Sequence, residues 1–310
     1  MARPASRIVS LLCSLTAAGL LTACGGGGGG GGGDASSGSQ SAVDLVTTTI
    51  AGSAVKGPVS GATVTAYTVN GSGMRGFAVG SSTTTDAQGS FAVTVPLAGG
   101  PVMLTVTGGT YTDEATGASV TLAPGQMMSA VLPSLAAGTA SVQVTPLTAM
   151  AQAMAAGMPG GMTTANIDAA NAAVGSYFMV GDIVHTRPMN PLVSGAATGA
   201  TGAMMNYGVA LAAMSQYAKD AGVPSSVMVG AMMQDAADGV LDGKAGTTPI
   251  ALGGGTGMMG SGMMQPTAGG SGLASAMTTF MNGTANRSGL TPASMAPLMQ
   301  QLTTAGGRLR

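Results

Sequence analysis

The sequence predicts a multi-domain protein of mixed β and α structure. A disordered linker precedes a small antiparallel β-sandwich, which an irregular all-α helical domain follows. Three observations predict this order: an unbroken glycine run over 25–33, a period-two pattern over 47–144 and helical spacing over 145–310. The expected segments are a cleavable leader over 1–23, a Gly/Ser-rich flexible tether over 24–46, the β-sandwich over 47–144 and the helical domain over 145–310.

The first 23 residues have the pattern of an export signal. Arg3 and Arg7 precede an apolar run of 14 residues from Ile8 to Leu21. That run is shorter than the roughly 20 residues that a membrane-spanning helix needs. We therefore expect a signal peptide and no permanent membrane span.

The stretch Leu21-Thr22-Ala23-Cys24 resembles the lipobox of bacterial lipoproteins. The resemblance implies that Cys24 becomes the first residue and carries a diacylglyceryl thioether and an amide-linked acyl chain. Because Gly25 is not aspartate, it implies a lipid-anchored outer-membrane protein that faces the periplasm or the cell surface. The alternative is an ordinary secretory signal, cleaved near Ala23, which releases a soluble protein with a free thiol.

Charge is scarce along the whole chain. Only 7% of the residues are charged, against about a quarter in a typical soluble domain. Without Arg3 and Arg7 the exported chain keeps 8 of the 10 basic side chains against 11 acidic ones, a net charge of −3. This balance excludes electrostatic binding of nucleic acid. Cys13 leaves with the leader and Cys24 would be acylated, so we expect no disulfide.

The flexible tether is predicted from the amino-acid composition of this segment. Gly25 to Gly33 and the Ser/Gln/Asp-rich residues 34–44 offer almost no side chain to bury. A Gly/Ser chain of about 20 residues spans on the order of 25 Å. Nucleotide binding by the glycine run is disfavoured, because phosphate-binding loops place their glycines at chosen positions between a strand and a helix.

Strands are predicted where β-branched and apolar residues alternate between turns. The clearest segments are 62–67, 91–95, 102–106 and 119–122, separated by Gly, Pro and Asp turns. In the turn before 91–95, Asp86 can accept hydrogen bonds from the backbone, Gly89 can adopt positive φ, and Phe91 can enter the core. About seven strands are expected in total.

Two of these stretches resemble the carboxypeptidase regulatory-like, prealbumin-type (Ig-like) domains of bacterial envelope proteins. They are Gly57-Pro58-Val59-Ser60-Gly61-Ala62-Thr63-Val64 and Thr84-Thr85-Asp86-Ala87-Gln88-Gly89-Ser90-Phe91. The resemblance covers about 90 residues and implies a fold and an accessory or binding role, without catalytic residues.

Helices are predicted from residue 146 onward. Thr145 can cap the first helix, and Pro146 fits its first position. The expected ranges of the six helices are 146–156, 164–180, 202–221, 225–241, 271–285 and 291–304. We expect them to pack as an irregular antiparallel bundle. A regulatory-like β-domain joined to helices that open with Thr-Pro-Leu-Thr resembles a broad group of bacterial lipoproteins.

Methionine is unusually frequent in the helical part. Twenty of the 25 methionines lie at or beyond Met150, and many form i, i+4 pairs that suit filling of a helical core. Met258, Met259, Met263 and Met264 instead lie in a glycine-rich loop. Thioethers select Cu(I), so a Cu(I)- or Ag(I)-binding loop is one hypothesis. The other is a disordered or loosely docked low-complexity loop, and we expect a disordered Gly/Met loop near 246–270.

Acidic residues form two further candidate groups. Asp113 and Glu114 are the only adjacent carboxylates, and we interpret them as a solvated turn over a catalytic pair, because neighbours on a strand or turn point to opposite sides. Asp235, Asp238 and Asp242 share one helical face, which favours a polar surface ending in an Asp-Gly turn over a calcium site, because the spacing is not that of an EF-hand.

His185, the single histidine, has Asp182 three residues before it. No hydrolase elbow, zinc-protease motif or phosphate-binding loop accompanies it, so we expect a linker histidine. The sequence therefore predicts a non-enzymatic, lipid-anchored envelope protein without cofactor, which acts as a structural module or as an interaction module for an envelope protein or glycan. The alternative is a Cu(I)- or Ag(I)-binding lipoprotein, and a hydrolase is a third hypothesis.

Overall fold

The computed structural model of the chain describes residues 46–96, 99–122, 125–253 and 262–309. These ranges belong to one compact unit, Asp44–Arg310, of mixed β and α structure. The predicted leader, Cys24 and nearly all of the tether lie outside the described residues. None of the described helices combines the length and apolar character that crossing a bilayer requires.

Among the described residues, nine strands precede the first helix. They are β1 Thr47–Ala54, β2 Thr63–Val69, β3 Arg75–Thr84, β4 Ser90–Pro96, β5 Val102–Thr107, β6 Thr110–Thr112, β7 Ser119–Thr121, β8 Met127–Leu132 and β9 Gly138–Val144. Seven of them form two sheets, in the orders β4-β1-β9 and β3-β2-β5-β8, and β6 and β7 form a separate hairpin. The four predicted strand segments are confirmed.

The turn before β4 has the predicted chemistry. The Asp86 carboxylate accepts hydrogen bonds from the backbone N–H groups of Gln88 and Ser90, at 2.9 and 2.8 Å. Gly89 has φ +75°, and Phe91 is buried. A short polar side chain therefore fixes the point at which β4 begins.

The prediction of a purely antiparallel sheet is wrong for one pair of strands. β9 runs parallel to β1, with Thr48 opposite Gly138 and Ala54 opposite Val144. After β8 the chain passes to the other sheet and enters it at the end where β1 also begins. The alternation of apolar residues defines the buried face of a strand but carries no information about its direction.

The six predicted helices are all present. They are α1 Pro146–Gly157, α2 Thr164–Tyr177, α3 Gly202–Asp220, α4 Ser225–Asp235, α5 Ser271–Asn282 and α6 Ala296–Ala305. Thr145 caps α1 and Pro146 opens it, as predicted. α4 is shorter than predicted because a 3-10 turn and Gly239, at φ +83°, end it.

One hydrophobic core crosses the boundary between strands and helices. Buried side chains of both parts belong to the same cluster, and α1 packs against β8. The methionine pairs of the helices lie in or against this cluster, which confirms their role as core filling. The helical part also contains a hairpin of two short strands, β10 Lys244–Ala245 and β11 Thr248–Pro249, so it is not entirely helical.

Part of the loop predicted to be disordered is packed. Ile250, Leu252 and Met264 are buried, and the N–H of Met264 donates to the carbonyl of Ile250 at 2.8 Å. The interpretation of 246–270 as disordered is therefore wrong for residues 246–253 and 262–270. Large apolar side chains on both sides of the glycine-rich stretch reach the core and hold these residues in place.

Candidate functional site

A buried ion pair joins the β part to the helices. The ammonium of Lys56 lies 2.6 Å from Oε2 of Glu114, and the two side chains are 1% and 3% exposed. Lys56 also donates to the carbonyl of Leu211, at 3.1 Å, and to Oγ of Ser215, at 2.5 Å. Each of its three protons thus has an acceptor, as a charge removed from water requires.

A glycine brings the two halves of this pair together. Gly57 has φ +65°, and a Cβ atom at this position would lie 2.5 Å from the carbonyl oxygen of Thr112. Only a residue without a side chain lets the link between β1 and β2 run so close to β6. Lys56 is thereby held beside Asp113 and Glu114, which directly follow β6.

The interpretation of Asp113 and Glu114 as a solvated turn is wrong. They are 3% and 2% exposed. The chain turns immediately after β6, so the alternation of a strand no longer applies, and both carboxylates reach Ser215 on α3. Ser215 Oγ lies 2.9 Å from Oδ2 of Asp113 and 2.7 Å from Oε2 of Glu114. The Ser215 hydroxyl has one proton, so it donates to one of the two carboxylates at a time.

Asp113 also holds its own turn. Oδ1 accepts hydrogen bonds from the backbone N–H groups of Ala115 and Thr116, at 3.1 and 2.9 Å. Burial alone would raise the pKa of Asp113, but hydrogen bonding to Ser225, the charge of Lys56 and further hydrogen bonds outweigh it and lower that pKa. The carboxylate is therefore kept ionised inside the protein.

Tyr111 closes the cluster on its other side. Its hydroxyl lies 2.7 Å from Oγ of Ser225 at the start of α4, and the Lys56 ammonium lies 5.8 Å from the centre of its ring. Burial, reinforced by the nearby carboxylates, raises the pKa of Tyr111 well above its ordinary value. We define the buried charged cluster as Lys56, Tyr111, Asp113, Glu114, Ser215 and Ser225.

Cavities flank this cluster on both sides. A cleft of about 650 Å³ has Glu114 in its wall, together with the turns before β2 and β4 and the segment 187–200. A second, more apolar cavity of about 410 Å³ is lined by Lys56, Tyr111, Val229 and Met233. The cluster is therefore a polar partition between two spaces large enough for small molecules.

The larger cleft, called here the distal cleft, combines an apolar wall with a polar rim. Met189, Met204 and Leu211 are among its apolar residues, whereas Gln88 and Arg187 offer amide and guanidinium groups. Both of these polar side chains belong to exposed residues. A wall of this kind with a few hydrogen-bonding groups is typical of ligand-binding clefts.

Two features of the sequence indicate this cluster. Lys56 is one of only five charged residues in the range 47–144, and Asp113 and Glu114 are two of the others. In a segment with so little charge, a buried lysine between Val55 and Gly57 is expected to have a charged partner. Ser215 carried no signal, since nothing in its local sequence distinguishes it from other helical serines.

His185 is a linker histidine, as predicted. It lies in the loop after α2, and its Nδ1 is 2.7 Å from Oδ2 of Asp182, with both side chains more than half exposed. A contact of this kind between solvent-exposed side chains contributes little to stability.

The interpretation of the three aspartates as one polar helix face is wrong. Asp235 is the last residue of α4 and is fully buried, whereas Asp238 lies in the 3-10 turn and Asp242 in the loop beyond it. Oδ1 of Asp235 accepts hydrogen bonds from the N–H groups of Asp242, Gly243 and Lys244, at 3.1, 2.9 and 3.0 Å. This carboxylate organises the loop from inside the protein.

The described residues offer metal ions no cluster of acidic or histidine side chains. Within the described ranges no group of three or more His, Cys, Asp or Glu side chains could hold a metal ion. Of the methionines proposed for Cu(I), Met258 and Met259 lie outside the described residues. Met263 is 50% exposed and Met264 is 3% exposed. The structure thus separates these two neighbours into a surface residue and a core residue.

Comparisons with known proteins leave the family open. No family model matches the chain, and no curated protein matches it significantly. The likeness to the regulatory-like domains and to lipoproteins therefore remains a prediction from the sequence.

We predict that Lys56→Met strongly destabilises the protein, by about 3 to 5 kcal/mol, because it leaves two carboxylates without their buried cation. The free energy of unfolding in urea measures this loss. Lys244→Met is the matched control, since Lys244 is 44% exposed and lies 3.9 Å from Asp242. The control should cost less than about 1 kcal/mol. Equal losses in the two variants would contradict a structural role for the buried pair.

We predict a pH-dependent effect of Asp235→Asn. Burial raises the pKa of Asp235 to about 6, against the opposing hydrogen bonds from Gly243, Lys244 and Asp242. The cost of its buried charge is present above pH 6 and disappears as the pH falls below the unfolded value near 3.8. Asp235→Asn should therefore raise stability at pH 7.5, by up to about 3 kcal/mol, and have little effect at pH 4.

Melting temperatures of the two proteins between pH 4 and 7.5 measure this difference. Asp238→Asn is the control, because Asp238 is exposed. If the difference in melting temperature between Asp235→Asn and the wild-type protein does not vary with pH, a raised pKa of Asp235 is excluded as its origin.

Proposed function

We propose that the protein is a non-enzymatic, lipid-anchored component of the bacterial cell envelope that binds an envelope protein or glycan in the distal cleft. The observation that carries the proposal is the lipobox-like stretch Leu21–Cys24, followed by the glycine-rich residues 25–33. The first described strand begins at Thr47, which agrees with a tether that ends at residue 46.

The proposal also covers the type of fold that the β part adopts. We infer that the β part is a β-sandwich of the carboxypeptidase regulatory-like, prealbumin type. Support comes from the sheets of three and four strands and from the Asp86–Gly89 turn that begins β4. Domains of this type have accessory and binding roles, which agrees with a cleft that lies where the β part meets the helices.

The contacts in the buried charged cluster also favour binding over catalysis. All three protons of Lys56 are engaged by Glu114, Leu211 and Ser215. As the donor in its contact with Ser215, the lysine does not act as a base that would activate this hydroxyl. The cluster stabilises the wall of the distal cleft, whereas the exposed rim residues Gln88 and Arg187 are available to a ligand.

We predict that cells incorporate labelled palmitate into the wild-type protein and not into Cys24→Ala. Cys24 supplies the thiol to which the acyl chains attach, and several acyl chains hold a protein on a membrane more firmly than one. Metabolic labelling followed by membrane fractionation measures both acylation and anchoring. An unlabelled, soluble wild-type protein would instead support an ordinary secretory signal.

We predict that a photoreactive residue in place of Gln88 forms a discrete cross-linked species in intact cells. The cross-link should disappear when Ala200→Trp fills the distal cleft, since Ala200 lines it and is half-buried. A photoreactive residue in place of Thr304, which is exposed on α6, is the matched control. A cross-link that persists in Ala200→Trp would show that the distal cleft does not hold the partner.

A further inference from the structure

We propose that the end of the β part where the chain enters β1 rests on the lipid surface, with Met74 and Phe77 in the headgroup region. This inference deepens the proposed lipid anchor and rests on it. It concerns a second contact with the membrane, made by the folded unit itself.

The registers of the strands define this end, which we call the tether end. Thr47 at the start of β1 pairs with Pro96 at the end of β4. Val102 at the start of β5 lies opposite Thr68 and Leu132. Arg75 pairs with Val69, so the hairpin between β2 and β3 also turns here. Only five residues join Pro96 to Val102, and β3 packs against β4, so the first residue after the tether shares one end of the β part with this hairpin.

Exposed apolar side chains concentrate at the tether end. Among the described residues, six large hydrophobic side chains are exposed, and three of them are Val46 at 59%, Met74 at 64% and Phe77 at 86%. Phe77 is the most exposed of the six. Large apolar side chains exposed together at one end of a fold are candidates for an interaction surface.

The hairpin presents these side chains from a fixed backbone. Oδ1 of Asn70 accepts hydrogen bonds from the N–H groups of Ser72 and Met74, at 2.9 and 3.1 Å. The carbonyl of Gly73 accepts from the N–H of Met162 in the loop between α1 and α2, at 2.8 Å. The loop is therefore held in place before it meets any surface, and ordering it on contact costs little entropy.

The charge at this end also suits an anionic bilayer. The segments that meet here contain Arg75 and no other charged residue: 46–50, 70–79, 99–103, 132–138 and 158–163. The guanidinium of Arg75 lies 4.9 Å from the centre of the Tyr67 ring. Among the described residues of these segments Arg75 has no carboxylate beside it in the sequence, and a cation beside apolar and aromatic groups fits the interface between headgroups and acyl chains.

Tether length and strand direction make lipid the occupant that fits best. Twenty-one residues separate Cys24 from Val46, and a glycine-rich chain of that length has an end-to-end distance on the order of 25 Å. The acyl chains at Cys24 thus keep the tether end close to the bilayer. The distal cleft includes Gly57 and Gln88, which lie beyond the other ends of β1 and β3. With the tether end on the bilayer, the distal cleft faces away from the lipid.

Site-specific fluorescence on the lipidated full-length protein tests this orientation. Ser72→Cys places a thiol at the exposed tip of the hairpin while keeping Met74 and Phe77, and Gln88→Cys places one at the distal cleft. Because Cys24 is acylated in the anchored protein, the introduced cysteine is the one available for labelling. Each labelled protein is reconstituted into vesicles of phosphatidylethanolamine and phosphatidylglycerol that contain a nitroxide-labelled lipid.

We expect the nitroxide lipid to quench the label at residue 72 several-fold more strongly than the label at residue 88. Combined Met74→Ser and Phe77→Ser substitutions should remove most of this difference. Equal quenching at the two positions, or quenching at residue 72 that survives both substitutions, would overturn the inference. Failure of the wild-type protein to float with the vesicles would instead contradict the anchor itself, so the two failures are distinguishable.

Discussion

The buried ion pair between Lys56 and Glu114 is the constraint on which the arrangement of the two halves depends. In a chain with 7% charged residues, three of the charges are placed inside, where β6 meets α3. Charges removed from water are tolerated only with close partners in good geometry. The β part and the helices therefore meet in a register that satisfies Lys56. Apolar contacts between alanine, glycine and methionine alone would discriminate poorly between alternative registers.

Glycine and methionine have complementary roles in this packing. Gly57, Gly175 and Gly208 let one backbone approach another more closely than any side chain would allow. Methionine fills the irregular spaces that such close approaches leave, because its unbranched thioether adapts its shape. A chain with no tryptophan and only nine other aromatic residues can thus still enclose a continuous core.

Local chemistry explains why much of the fold could be predicted from the sequence. The cap at Thr145, the turn at Asp86 and the spacing of the helical methionines each depend on neighbours within a few residues. The errors concern burial and strand pairing, which neighbouring residues do not determine. Asp113 and Glu114 looked solvated because Lys56 and Ser215 are remote in sequence, and Asp235 looked like a surface residue although it caps a loop from the core. The parallel pairing of β1 and β9 depends on the path of the chain between sheets, which no local pattern records.

The position of β1 has a mechanical consequence. β1 is the central strand of its sheet, with β4 on one side and β9 on the other. A force that pulls on residue 46 acts along the axis of β1, at right angles to the hydrogen bonds on both its sides. The bonds of the two ladders then share the load and must shear together, whereas a strand peeled from an edge loses them one at a time. Under the proposed anchoring at Cys24, this arrangement would resist tension from the attachment.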